Sequence, residues 1–520
     1  MKYTCLLFAC CVGSVAAQQT PTVWVPPPKD TTALEAEKNP LPVAVLRDYL
    51  KMDFPHHAYR ALEGKNEALQ QEADNSVVFE IGRGYEVGAD AVNLFEAGFQ
   101  DGEDFVFLAA ITSVGAYGIR LQVDLAGLAL GEEAWFIDPT VPRAFGPYTT
   151  ADQEAAALWL PSVEGDTAVI MLRSRQSTLP PLRLERISHF FRPVLEKAFP
   201  CPIHVNCETD PDIRAASTAV GRLLITIPPA TTILCSGSLV EAPDTPEQEP
   251  FLISANHCFR SIVSAGDLDV FWDYRAADCD GTGQPSLGEL PRSEGESILV
   301  NDARLDFTFL RLKSVPNGTE GRAYLGWSVE QAEVNDEVLT MHHPQGTVMK
   351  ISYGVVTDAD VATIYGQLQN EINWLEGITE GGSSGGPGLY TDSLTLMGVL
   401  SNGTVHTCGE PQQNFDNYSS FADFFPEVAC YLSADTECEP PLPKISCPAK
   451  ATFGPDSASV AALRNFRDKV LAHHAWGRAA IADYYARAPQ MAAAVAQSEQ
   501  ARAVFGVLAF PFIVWGAGLG

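Results

Sequence analysis

The chain has 520 residues, 46% of them hydrophobic, with eight Trp and a formal net charge of -31. That apolar share excludes a largely disordered protein, and the length implies about three folded units rather than one core. The acidic balance excludes nucleic acid and an anionic membrane surface as partners of the chain as a whole, because phosphate binding needs clustered Lys and Arg.

Residues 1–17 read as a secretory signal peptide: Lys2 near the start, an apolar run up to Val15, and Val15-Ala16-Ala17 before Gln18 as the cleavage site. The mature chain is then expected outside the cytoplasm, secreted or held at the cell envelope. Residues 18–75 are expected to be a linker and N-terminal segment, extended around Pro26-Pro27-Pro28. Over 76–197, short alternating segments such as 118–125 and 134–137 lie between Gly, Asp and Pro turns, which predicts a β-sandwich-like domain. Its acids are scattered in turns, and nothing in it points to catalysis. Over 198–445 the pattern stays β, with apolar strands at 223–227, 251–254, 306–312, 337–342 and 396–400, which predicts a barrel-type all-β domain. Residues 446–520 change to a helical period through Val460, Leu463, Phe466 and Val470, continued by Ile481, Tyr484 and Tyr485. The end, 503–519, is almost wholly apolar, is interrupted by Pro511, and at about 17 residues is short for a bilayer. Its length suits a buried or interfacial helix as readily as a membrane anchor.

Nine cysteines follow the signal peptide, all beyond residue 200 and none at metal-ligand spacing with histidines. In an exported chain they read as disulfides, and no metal is expected. No phosphate-cradling glycine loop precedes a helix, so no cofactor is expected either. The chemistry concentrates in three segments: Ser254-Ala255-Asn256-His257-Cys258, Leu305-Asp306-Phe307 and Gly382-Ser383-Ser384-Gly385-Gly386-Pro387. A serine hydroxyl becomes nucleophilic when a base takes its proton and backbone N–H groups hold the oxyanion. A glycine-flanked serine with a separate His and a separate Asp is what acyl transfer requires.

Together with Cys235-Ser236-Gly237-Ser238-Leu239-Val240, Asp306-Phe307-Thr308-Phe309-Leu310, His342-His343-Pro344 and Gly377-Ile378-Thr379-Glu380, these segments make residues 201 to about 430 resemble the lysyl endopeptidases. Those are secreted bacterial members of the chymotrypsin-like serine peptidases. The resemblance implies a mainly β chain with a chymotrypsin-like double β-barrel, preceded by the β-sandwich-like domain and followed by a small helical tail. It implies that His257 is the general base and acid, that Asp306 orients its imidazole, and that Ser384 attacks the scissile carbonyl. Ser384 is chosen over Ser383 because Gly385-Gly386-Pro387 follow it directly; Ser383 takes the place usually held by Asp in trypsins, and its loss is expected to be mild. The oxyanion is expected between the N–H groups of Gly382 and Ser384.

By the same resemblance Asp416, just before Asn417-Tyr418, sits at the base of the primary specificity pocket, which favours Lys or Arg before the scissile bond. Ser401, Asn402 and Gly403 are implied as the pocket wall that pairs with an extended substrate. The best-known members carry a His where Ser401 stands and a Trp on the preceding loop, so strict preference for Lys over Arg does not carry over. The implied disulfides are Cys201 with Cys408, Cys207 with Cys279, and Cys235 with Cys258; Cys430, Cys438 and Cys447 stay unassigned. The upstream β-domain resembles the pro-regions of such peptidases, with Lys197 as an expected point of self-cleavage. The tail resembles the CFI-box domain of exported bacterial proteins through Ala462-Leu463-Arg464-Asn465-Phe466-Arg467-Asp468, which sets a bacterial, exported context and no activity.

The expected function is therefore a secreted, metal-independent serine endopeptidase, monomeric, made as a precursor and acting on proteins or peptides. Two alternatives stand beside it. One is a catalytically silent peptidase fold that holds extended peptides. The other is an active peptidase of acidic specificity, for which His406 is the one nearby cation.

Overall fold

The computed structural model describes residues 19–28, 40–73, 78–87, 94–96, 98–152, 157–178, 182–193, 201–227, 230–243, 248–259, 265–362, 368–404, 414–433, 448–453, 458–471 and 499–517. The described chain opens with two short strands, β1 (Gln19–Thr20) and β2 (Val23–Val25). Instead of forming a linker, β1 pairs with 327–328 and β2 with 322–324. Thr22 Oγ1 adds two bonds, donating to Leu394 O at 2.8 Å and accepting the Gly326 N–H at 2.9 Å. The Pro-rich composition accounts for an extended backbone, but the partners that satisfy it lie far along the chain and leave no local trace. Helices α1 (Val43–Tyr49) and α2 (Asn66–Ala73) then flank β3 (His56–Tyr59).

The expected β-sandwich follows. Its strands are β4 (Phe79–Glu86), β5 (Phe99–Asp101), β6 (Asp104–Ser113), β7 (Gly118–Asp124), β8 (Glu133–Asp138), β9 (Arg143–Tyr148), β10 (Leu158–Trp159), β11 (Val163–Glu164), β12 (Thr167–Ser174) and β13 (Arg183–Phe190). One sheet runs β3-β6-β12-β8-β9 with β5 on β6, and the other runs β10-β7-β13-β4 with β11 on β7. Period-two alternation points Ala109 and Ile111 of β6 and Ile170 and Leu172 of β12 at Ile119 and Leu121 of β7, forming one buried core between the sheets.

After β14 (Ile203–His204) comes α3 (Pro211–Ser217), which starts where it does because the Asp210 carboxylate accepts the Asp212 N–H at 2.8 Å and Pro211 needs no donor partner. Strands β15 (Val220–Ile227), β16 (Thr231–Leu239), β17 (Phe251–Ala255), β18 (Leu268–Phe271), β19 (Arg292–Asp302) and β20 (Phe307–Leu312) pair in the cycle β15-β16-β17-β20-β19-β18 and back to β15. β21 (Arg322–Tyr324) and β22 (Trp327–Ser328) lead to a second cycle. It comprises β23 (Glu337–His342), β24 (Lys350–Ala362), β25 (Leu368–Glu376), β26 (Pro387–Tyr390), β27 (Leu396–Gly403) and β28 (Phe415–Ser420), ordered β23-β24-β25-β28-β27-β26 and back to β23. Both sheets close on themselves, which gives the double barrel the sequence implies and leaves no edge within either cycle. One hydrophobic core runs through both, from Leu223, Ile253 and Phe309 to Met341, Leu389 and Val399. Helix α5 (Phe421–Leu432) seals it, stacking Phe424 on Phe307 with ring centroids 4.2 Å apart.

The sandwich is welded to the first barrel. β4 pairs with β16, Phe79 opposite Leu234 and Arg83 opposite Thr231, so one sheet continues from the sandwich into the barrel. Beside this seam lies a buried polar network. Asp269 Oδ2 accepts from the Ser162 N–H and hydroxyl at 3.1 and 2.8 Å, Arg292 donates to Ser162 O at 2.7 Å, and Arg143 donates to the carbonyls of Gly288 and Leu290. Arg120 donates to Asp267 O at 2.6 Å.

The helical tail is present as α6 (Pro448–Phe453), α7 (Ala458–Lys469) and α8 (Glu499–Ala517). Val460 and Phe466 are buried as the periodicity predicts, with Phe466 against Phe512 and Trp515 of α8. α8 runs through Pro511 rather than breaking there, and Val507, Leu508 and Phe510 stay exposed. No described helix is long and apolar enough to cross a membrane. Ile481, Tyr484 and Tyr485 lie outside the described residues.

Candidate active site

Strand β17 ends at Ala255 and turns into the single helical turn α4 (Asn256–Phe259), which carries His257. Asp306 occupies the turn between β19 and β20 in a left-handed conformation, φ 55°. This backbone lets one residue grip the histidine turn three ways. Asp306 O accepts the Asn256 N–H at 3.0 Å, Oδ1 accepts the His257 N–H at 2.7 Å, and Oδ2 accepts from His257 Nδ1 at 2.8 Å. A carboxylate only accepts, so Nδ1 carries the ring proton and Nε2 is left as the basic nitrogen. Ser401 Oγ, from β27 of the other barrel, donates a third side-chain hydrogen bond to Oδ2 at 2.6 Å. The Cys235–Cys258 disulfide ties the histidine turn to β16. Its sulfurs lie within 4.8 Å of a His257 ring nitrogen, but paired sulfurs are not thiolates, so this grouping anchors the loop and offers no metal site.

The serine turn links β25 to β26. Gly382 and Gly385 have φ of 96° and 79°, a region open to glycine and closed to most side chains. Ser236 on β16 clasps the turn to the first barrel: its N–H donates to Ser384 O at 2.8 Å, and its hydroxyl donates to Gly382 O at 3.0 Å. Gly385 N–H is taken by Leu400 O, and Ser383 N–H by Glu380 O. Among the described residues, the N–H groups of Gly382 and Ser384 donate no backbone hydrogen bond, which leaves two donors for an oxyanion. Among the described residues no hydrogen bond joins Ser384 Oγ to His257 Nε2; without substrate, catalytic hydrogen bonds are often long or poorly aligned and tighten in the complex.

The two adjacent serines are strongly distinguished. Ser383 is fully buried, and its oxygen accepts the Glu380 N–H at 3.0 Å and shares a 2.7 Å hydrogen bond with His342 Nδ1. His343, next along, lies behind the turn, donating its N–H to Ser236 Oγ and its Nδ1–H to Thr347 O, both at 2.9 Å. Burial pushes its pKa down to about 3, so it is neutral in the fold.

Asp416 lies in β28, opposite Ile372 of β25 and Gly403 of β27, and is buried. Its Oδ2 accepts from Trp374 Nε1 at 2.5 Å and Thr379 Oγ1 at 2.6 Å. Gly403 is fixed by space: a Cβ there would come within 1.8 Å of Asp416 Oδ1. Asn402, exposed, and Asn417, half-buried, lie beside this carboxylate and are bonded to one another at 2.8 Å. The sequence reading placed Ser401, Asn402, Gly403 and Asp416 together, as found, but the Ser401 side chain turns to Asp306. It missed Trp374, Thr379 and Ser236, although Thr379 and Ser236 lie within segments it had singled out.

Of the implied disulfides, Cys207–Cys279 and Cys235–Cys258 are formed. Cys201 and Cys430 are also disulfide-bonded. Cys408, Cys438, Cys447, His406 and Lys197 lie outside the described residues. Chemically, the site offers a basic nitrogen oriented by a carboxylate, a serine hydroxyl with unspent N–H donors beside it, and a buried carboxylate where a cation can be received.

Residues 195–419 match the family model for the lysyl endopeptidase C-terminal domain. A lysyl endopeptidase of Pseudomonas aeruginosa is 30% identical over 298 residues, covering 53% of this chain and 63% of that protein, so the chain spans less than two thirds of that relative's length. Similar solved structures include the Rv3671c protease of M. tuberculosis in its active form, at 15% identity and a TM-score of 0.30 over 45% of this chain and 92% of that one. Another is the serine endoprotease from Yersinia pestis, at 17% identity and 0.29 over 44% and 68%.

Proposed function

We propose that the lysyl endopeptidase-like region works as a serine endopeptidase that cuts after Lys or Arg, with Ser384 as nucleophile, His257 as base and Asp306 as its orienting partner. The observation that carries this is the Asp306–His257 pair on one barrel facing a serine turn whose Gly382 and Ser384 N–H groups are unspent.

In the reaction, Ser384 Oγ bonds to the scissile carbonyl carbon as its proton passes to His257 Nε2. The oxyanion rests on the two N–H groups, the C–N bond breaks, and the amine leaves with the proton from Nε2. Water then repeats the sequence on the acyl ester and returns the proton to Ser384. Asp306 stabilises the imidazolium formed at each stage and keeps Nδ1 protonated.

Selectivity rests on Asp416. A buried carboxylate favours a substrate that brings a cation, and the indole and hydroxyl on Oδ2 hold it in place. The acidic-specificity reading would need a cation where Asp416 stands. Secretion, the signal peptide at 1–17, synthesis as a precursor and action as a monomer on protein or peptide substrates belong to the same proposal; the peptidase-like region begins near residue 198. The deciding experiment is reaction with a fluorophosphonate followed by mapping of the labelled residue, beside cleavage-site profiling on a peptide library. Labelling at Ser384 with cuts after Lys and Arg is expected. Absence of labelling would favour the silent, peptide-holding alternative.

A further inference from the structure

The outer edge of β16 is fully assigned, and its order is informative. At residues 238–239 it holds β17; at 236 its N–H reaches Ser384 O; at 231–234 it holds β4 of the sandwich. Main-chain groups facing one edge of a strand recur every second residue, so Leu234 faces the same side as Ser236, one step further from the serine. An extended peptide whose acyl side lies along β27 beside Asp416 would pass Ser384 and continue its leaving-group side onto this edge, toward Leu234. Phe79 already stands opposite Leu234. Its ring reaches the serine turn itself: a Cβ placed on Gly381 would lie 3.1 Å from Phe79 Cδ2. The strand is not loosely laid on, since Phe79 packs on the same apolar cluster as Leu234, and the Arg192 guanidinium covers its ring at 5.1 Å.

We propose that β4, through Phe79, closes the leaving-group side of the cleft. The intact chain then accepts lysyl or arginyl acyl donors whose leaving group is a small alcohol, a small amine or a single residue, and takes longer polypeptides only when β4 withdraws. This rests on the peptidase reading and adds a limit to it. The same closure works against self-cleavage after Lys197, for which the leaving group would be the whole remainder of the chain.

The test uses the full-length protein and one acyl peptide ending in Lys, joined to methanol as an ester, to a single-residue amide, or to a three-residue amide. For the wild type, kcat/KM is expected to fall about a hundredfold from the one-residue to the three-residue leaving group. In Phe79→Ala the ratio of long to short is expected to rise about tenfold. The wild-type series stands alone if that variant does not fold. Equal rates on the one-residue and three-residue amides would overturn the closure while leaving the peptidase reading intact. A wild-type gap that a folded Phe79→Ala protein leaves unchanged would remove Phe79 as its cause. No ester hydrolysis and no fluorophosphonate labelling of Ser384 would instead overturn the peptidase reading, and this inference with it.

Discussion

Ser401 Oγ, on the second barrel, donates a 2.6 Å hydrogen bond to Asp306 Oδ2, on the first, and so spans the cleft beneath the histidine. The same oxygen holds His257 Nδ1, so both barrels must keep their spacing for the imidazole to be oriented. Ser401→Ala removes one hydrogen bond to a charged acceptor, worth about 1.5–3 kcal/mol. If that energy is fully used in orienting the base, kcat falls by about tenfold to a hundredfold. KM on a lysyl ester should change little. An unchanged kcat would show that Asp306 needs no help from the second barrel.

Ser384→Ala is expected to abolish hydrolysis and leave thermal unfolding unchanged, since among the described residues no hydrogen bond depends on its hydroxyl. Ser383→Ala has the opposite signature. It strips the partner from His342 Nδ1 and the Glu380 N–H in a fully buried setting, costing about 1–3 kcal/mol of stability. The sequence suggested that loss of Ser383 would be mild; burial makes it structural. Thermal melts and ester kinetics on both variants separate the two roles, and the reverse pattern would reassign the nucleophile.

Asp416→Asn keeps an oxygen for Trp374 and Thr379 but removes the charge. Cleavage after Lys and Arg should drop by about thirtyfold to a few thousandfold, a loss of about 2–5 kcal/mol for a substrate cation left without its counter-charge. Hydrolysis of small uncharged esters should persist. Unaltered selectivity in a peptide library would mean that Asp416 only props the indole and hydroxyl.

Acid should destabilise the fold through two buried histidines. Burial pushes His343 down to about 3 and His189 to about 4, against about 6.5 in the unfolded chain. As pH falls the unfolded chain takes up these protons first. The stabilisation is therefore complete above about pH 6.5 and is lost progressively as pH drops through 4 toward 3. Urea midpoints measured from pH 7 to 4 should fall steadily, and His343→Gln should flatten part of that slope. A slope that survives in His343→Gln unchanged would place the proton uptake elsewhere.

The junction over 194–200 should behave unlike a releasable boundary. In the wild-type protein it is expected to remain uncut by the enzyme itself. If it is cut with added trypsin, the two pieces should co-elute on gel filtration, because the β4–β16 ladder and the Ser162–Asp269–Arg292 network survive the nick. Separation without denaturant would show that the seam contributes little.

The barrels, the sandwich and the pairing of His257 with Asp306 were legible because each rests on local signals: alternation for strands, and short motifs for the turns that carry the side chains. The positions of Phe79 and of residues 19–25 were not. Phe79 reads as one more apolar residue at a strand start; its nearness to Gly381 depends on which edge of β16 stays open after the barrel closes. Trp374 escaped for a related reason, since its bond to Asp416 follows from the register of β25 on β28 and from no pattern within either strand.

Thr22 and Leu394, bonded to each other, are 372 residues apart. Residues 19–25 therefore find their partners only after the first barrel has been made. Closing so long a loop is entropically costly before the barrels exist and cheap afterwards, so the leading strands act as a fastening applied last. Until then their backbone is exposed, so residues 19–25 are a place where an incompletely assembled molecule differs from a finished one and is open to proteolysis.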